Sequence, residues 1–246
     1  MCTVTYIPNS NSGFCLTFNR DERSSRETVM PQYYSHADLQ LLYPKDVQAG
    51  GTWIAVSENG KTACLLNGAF EKHERKSFYE RSRGLVLLES FYYCSVQEFV
   101  YSVSLKNVEP FTLLLLDPQD KNDFLFFEFR WDGEEKHLKP ISTEKPHIWS
   151  SSTLYNSSVR KKRNDIFLNW LKKHETFSDH EIMQFQTTRH GLSDSEDFIM
   201  QGQDDLKTLS IAQLIFDNSQ LKFKYHDFLS EKSSQFNLRR KEVNHA

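Results

Sequence analysis

Hydrophobic and polar positions along this chain fall into blocks of two periods. Val4 to Ile7 and Phe14 to Phe18 are short apolar runs joined by Asn9-Ser10-Asn11-Ser12-Gly13, a string of turn formers, which predicts an opening β-hairpin. Residues 20 to 48 are polar, lack periodicity and contain Pro31 and Pro44, which predicts a long surface excursion. After Gly50-Gly51, the runs Thr52 to Ser57 and Lys61 to Asn67 flank Glu58-Asn59-Gly60, and Asn-Gly between apolar runs signals a second hairpin. Helical spacing begins near Ser77, where Leu85, Leu88, Phe91 and Tyr92, then Val96, Phe99, Val100 and Val103, recur at intervals of three and four. Strands follow at Phe111 to Leu116, Asp123 to Trp131 and Glu134 to Pro140, punctuated by Asp117-Pro118 and Asp132-Gly133. Helices are predicted from Ser158 to Lys173 and from Asp179 to Thr187. A last hairpin runs from Thr208 to Phe216 and Leu221 to Phe228 through Asp217-Asn218-Ser219.

The order is strands, helices, strands, helices, strands, with no internal repeat. It suits an α+β chain of two antiparallel sheets packed face to face with helices outside, although separate α+β domains would give the same order. We expect one domain over residues 1–230 and a polar, frayed tail over 231–246.

Composition narrows the function classes. A chain of 246 residues can bury a substantial core. Its net charge of −3 and pI near 6.3 argue against a general nucleic-acid binder. The longest apolar run, Phe111 to Leu116, is strand-sized, and no transmembrane segment or secretory signal is expected. Cys15, Cys64 and Cys94 lie in apolar settings and read as buried, reduced thiols, so the expected location is cytoplasmic. No nucleophile elbow, P-loop or dinucleotide fingerprint is present. His174, His180 and Glu181 match no metal spacing, and neither a metal nor a cofactor is expected. The basic run Arg160-Lys161-Lys162-Arg163 opens an amphipathic helix and reads as a solvated face.

Chemistry enters at the second residue. Removing Met1 would leave Cys2 with a thiol (ordinary pKa about 8.5) and an α-amine (about 8) on one residue, a nucleophile with its own base. The segment Cys2…Asn19-Arg20-Asp21-Glu22…Gly50-Gly51-Thr52-Trp53, continuing through Asn59-Gly60 and Leu66-Asn67, resembles the NRDE family, named for its tetrapeptide. That family in turn resembles the N-terminal nucleophile (Ntn) hydrolases of non-peptide amides, such as choloylglycine hydrolases and penicillin V acylases. The resemblance implies an αββα sandwich with Cys2 as nucleophile and Arg20 and Asp21 beside it. It further implies Asn67 and Asn156 (in Thr153-Leu154-Tyr155-Asn156) as oxyanion donors and Lys207 as the basic residue of a late strand, where the hydrolases more often have Arg. Asn19, Glu22 and Trp53 would meet the substrate. Read without the resemblance, Arg20-Asp21 is a strand-end ion pair, Trp53 shares a core face with Ala55, and Asn67 bonds a neighbouring loop.

The expected function is therefore hydrolysis of a linear amide or related acyl bond of a small molecule through a Cys2 thioester. The competing expectation is a non-catalytic carrier of a hydrophobic ligand (acyl lipid, acyl-CoA or haem) on the same fold. Partners would be small molecules, with no nucleic acid, and the oligomeric state is open.

Overall fold

A computed structural model of the chain describes residues 2–9, 13–36, 39–119, 123–174, 176–217 and 220–240. Met1, part of the expected turns at 9–13 and 217–219, and residues 241–246 lie outside the described residues. The chain divides into two compact units, each discontinuous in sequence: Met1–Ser25 with Glu144–Asn237, and Arg26–Thr143 with Leu238–Ala246.

The first unit is built on a six-stranded sheet, with strands β1 (Cys2–Pro8), β2 (Phe14–Arg23), β10 (His147–Ser150), β11 (Leu206–Asp217), β12 (Gln220–Asp227) and β13 (Ser233–Arg239, in this unit as far as Asn237) in the order β10-β1-β2-β11-β12-β13. Side chains of facing residues share a side of an antiparallel sheet. One side carries Ile7, Cys15 and Ile215 against helices α3 (Ser157–Leu171) and α4 (Asp179–Thr187), closing a cluster with Phe167, Ile182, Phe185 and Phe198. The other side carries Val4, Tyr6, Phe14, Leu16, Phe18, Leu214 and Phe223, all buried. Both helices start on side-chain caps: Asn156 accepts from the Val159 N–H, and Ser178 with Glu181 forms a reciprocal capping box.

The second unit carries a seven-stranded antiparallel meander in chain order, β3 (Thr28–His36), β4 (Leu39–Asp46), β5 (Ile54–Ser57), β6 (Thr62–Asn67), β7 (Phe111–Pro118), β8 (Phe124–Trp131) and β9 (Lys136–Ile141). Its helices are short, α1 (Arg83–Glu89) and α2 (Val96–Ser102), separated by a single 3₁₀ turn at Ser90–Tyr92. The helical spacing expected from near Ser77 is thus carried by two helices, each started by a serine N-cap, Ser82 and Ser95. Gly50 and Gly51 have different jobs. Gly50 takes φ +70°, while at Gly51 a Cβ would sit 2.5 Å from the Gly84 backbone, so the pair lets the start of α1 press against the strand that follows.

Two expectations about loops are corrected. Residues 20–48 are the end of β2 plus the whole β3–β4 hairpin. Pro31 is accommodated because β3 is an edge strand whose register shifts between Val29 and Gln32. The tail expected to fray contains β13, whose residues alternate between exposed and half-buried, the pattern of a sheet edge. Among the described residues, no helix is long and apolar enough to cross a membrane.

Candidate active site

The site grows from the register of β1, β2 and β11 in the first unit. Cys2 opens β1 and faces Arg20 directly across the ladder, and its carbonyl accepts from the Ser151 N–H at 2.9 Å. Glu22 faces Lys207 on β11, and Ser210 faces Arg20, so Cys2, Arg20, Glu22, Lys207 and Ser210 share one side of the sheet. Asn19 and Asp21 project from the other side, toward the helices. Alternation thus splits the tetrapeptide Asn19-Arg20-Asp21-Glu22 between two surfaces.

A bulge completes the helix-facing cluster. Thr208 pairs with Asp21 and Ser210 with Arg20, so Leu209 is an extra residue on β11. In an unbroken strand Thr208 and Ser210 would point the same way. The bulge turns Thr208 to the helix side, where its hydroxyl donates to Asp21 Oδ1 at 2.7 Å while accepting from the Met200 N–H at 2.9 Å. Tyr155 donates its hydroxyl to Asp21 Oδ2 at 3.1 Å. The Arg163 guanidinium lies over the Tyr155 ring (4.0 Å to the centroid) and the Phe198 ring (4.6 Å). Asp21 and Arg163 are both fully buried.

Electrostatics follow from this burial. Loss of hydration pushes the Cys2 thiol up to about 11, with the Asp21 charge adding to the rise and Arg20 opposing it. The same loss raises the Asp21 carboxyl above the usual carboxylate range, against which Arg163, Thr208 and Tyr155 all act. Burial also raises the Tyr155 phenol, which therefore stays a donor.

Other expected site residues are placed differently. Asn156 is the exposed N-cap of α3, its side-chain oxygen taken by the Val159 N–H at 3.0 Å. Asn19 is fully buried and spends both amide hydrogens on the Gln186 and Phe198 carbonyls, at 2.9 and 3.0 Å, which ties β2 to the end of α4 and leaves it out of reach of a ligand. Lys207 lies 3.5 Å from Asp205. Asn67 ends β6 and Trp53 precedes β5, both in the second unit, where Trp53 is buried. Sequence reasoning missed Tyr155, Arg163 and Thr208. Arg163 contradicts the solvated-face reading of the basic run: Lys161 is exposed, whereas Arg163, two positions on, falls on the core side of α3. Among the described residues, no group of His, Cys, Asp and Glu is arranged to hold a metal ion.

Comparison with known proteins shows the fold and the family of the chain. The fold is similar to that of the C2A mutant of conjugated bile acid hydrolase from Clostridium perfringens, with a TM-score of 0.60 and 9% identity over 98% of this chain and 94% of that one. An arginine-to-leucine variant of the same hydrolase gives 0.59 and 10% identity, with the same coverage of both chains. The likeness at such identity is one of fold, the Ntn-hydrolase-like α+β fold expected from the sequence. No curated protein sequence matches the chain. The family model described as Transport and Golgi organisation 2 matches residues 1–232. Its span takes in the Cys2, Asn19-Arg20-Asp21-Glu22 and Gly50-Gly51-Thr52-Trp53 motifs together with the strands that carry the site, and the chain belongs to that family.

Proposed function

We propose that the protein is an N-terminal nucleophile hydrolase of a linear, non-peptide amide or related acyl bond, acting through Cys2 once Met1 is removed. The observation that carries this reading is the ladder pairing of Cys2 with Arg20, next to a buried Asp21 held by two hydroxyl donors. The fold likeness to a conjugated bile acid hydrolase supports it.

With Met1 attached, the nitrogen of Cys2 is an amide without basicity, and the buried thiol stays protonated at neutral pH. Removal of Met1 turns that nitrogen into an amine of ordinary pKa about 8, able to take the thiol proton. The thiolate adds to the acyl carbon, and collapse of the tetrahedral intermediate breaks the C–N bond. The leaving amine departs with the proton returned by the α-ammonium. Water then cleaves the thioester, giving a carboxylic acid and the free thiol. Arg20 favours the thiolate by its charge, and Asp21 orients the α-ammonium.

A second reading, carriage of a hydrophobic ligand, is favoured by a cavity of about 300 Å³ in the first unit. Ile7, Cys15, Phe177, Ile182 and Ile215 form its apolar lining, with Asp179 and Lys222 also in the wall. It sits at the end of β1 away from Cys2, and its volume is at the small end of ligand sites. One experiment separates the readings. Met1-free protein and its Cys2→Ala variant are incubated with a panel of N-acyl amides, and products and acyl adducts are followed by mass spectrometry. The hydrolase reading expects turnover and an acyl adduct in the parent and neither in Cys2→Ala. Turnover that survives Cys2→Ala sinks it. Binding that survives Cys2→Ala but is lost when Ile182→Trp fills the cavity, without turnover in any form, establishes carriage.

A further inference from the structure

Among the described residues, Arg163 is a fully buried guanidinium without a direct carboxylate partner, an arrangement that needs a cause. Its Nη2 donates to the Asp197 carbonyl at 3.3 Å, while Nε and Nη1 have no hydrogen-bond partner among the described residues. The Asp197 carboxylate does not serve as its counter-ion. That group accepts from the backbone N–H of His190, Gly191, Leu192 and Phe198, and Arg189 lies 3.9 Å away. What Arg163 does have is the face of Tyr155, whose hydroxyl ends on Asp21. A cation over a phenol ring draws electron density from it and strengthens the O–H as a donor. The charge of Arg163 thus reaches Asp21 through the ring, at the helix-facing side of β2.

The other groups around Asp21 do not substitute for it. Arg20 and Glu22 leave the strand on the opposite side, Lys207 lies beside Asp205, and Thr208 is neutral. Cys2 is the titratable group of β1 in this neighbourhood.

We propose that Arg163 and Tyr155 are positioning residues of the Cys2 site: a buried counter-charge, relayed through a phenol, that keeps Asp21 available as a carboxylate for the α-ammonium of Cys2. This rests on the hydrolase reading above for what the ammonium does, but not for the relay itself. Burial drives Asp21 toward its protonated form, and the Arg163 charge leads the forces acting against that drive, with the Thr208 and Tyr155 hydroxyls adding to it.

The test uses two readouts that need no turnover. Met1-free protein labelled with ¹³C at aspartate carboxyls is titrated by NMR, with Asp21 assigned by the signal lost in Asp21→Asn. Alkylation of Cys2 by iodoacetamide is followed across the same pH range. Tyr155→Phe removes the donor yet keeps the ring under the guanidinium, and Arg163→Gln removes the charge. Each is expected to raise the Asp21 midpoint by about one unit or more and to move the Cys2 alkylation profile, with Arg163→Lys recovering part of the shift. Tyr43→Phe, in the second unit, is the control and should move neither. Tyr155→Phe retains the buried packing and decides the matter should Arg163→Gln fail to fold. An Asp21 midpoint unmoved in Tyr155→Phe overturns the relay. A moved midpoint with an unchanged Cys2 profile overturns the positioning role. Absence of turnover in the parent protein bears on the hydrolase reading alone.

Discussion

At the scale of single residues, the chemistry of a side chain is set by what surrounds it, and Arg163 and Asn156 show this from opposite directions. A basic run is hydrophilic in sequence, yet two positions along α3, about half a turn, separate exposed Lys161 from fully buried Arg163. Asn156, expected as an oxyanion donor from its Thr-x-x-Asn context, caps that helix through its side-chain oxygen. Replacing Asn156 with Ala should therefore cost about 1 kcal/mol of unfolding free energy in a denaturant titration, whereas Asn156→Asp should restore it. Loss of Cys2 reactivity in Asn156→Ala, with stability intact, would return Asn156 to the site. Cys2 itself was legible from its place after Met1. That its thiol is buried and pushed up to about 11 was not, because hydration depends on every strand that covers it.

At the scale of elements, small irregularities decide which residues meet. Leu209 breaks the alternation of β11 and turns Thr208 onto Asp21. Thr208→Val should leave a buried carboxylate oxygen short of a donor and lower stability by about 1–3 kcal/mol, while Thr208→Ser should remain near the parent; equilibrium unfolding measures both. No hydropathy pattern announces a bulge, since Leu209 fits an apolar run whichever way it points. The β3–β4 hairpin was missed for a related reason. Its prolines argue against a central strand, and only an edge position with a shifted register makes Pro31 compatible with pairing. β13 begins at Ser233, one residue beyond the end of the family match. A chain ending at Lys232 should keep its fold but expose the edge of β12, so self-association by size-exclusion chromatography should rise; an unchanged elution volume would show that β13 is not needed as a cover.

At the scale of the whole molecule, each unit buries a carboxylate away from its ordinary range. Burial raises Asp21 in the first unit and Asp117, 7% exposed, in the second, the latter opposed by Lys61. A carboxyl raised on folding holds more protons in the folded state, so the stability it allows is full at low pH. That stability is lost as pH climbs from the unfolded value through the folded one. Asp117→Asn keeps an acceptor for the Val96 N–H and removes the titration, so its thermal midpoint should gain on the parent as pH rises from about 4 to 8. A difference that stays flat would show that Asp117 does not titrate there. By itself the sequence determined the α+β class, most strand and helix positions, the family and the place of Cys2 directly after Met1, because periodicity and short motifs are local and survive without knowledge of neighbours. Tertiary structure alone decided that Asp21 and Cys2 leave the sheet on opposite sides, and that a buried arginine backs one of them through a tyrosine. Register, bulges and burial arise between segments far apart in the chain, where no local pattern records them.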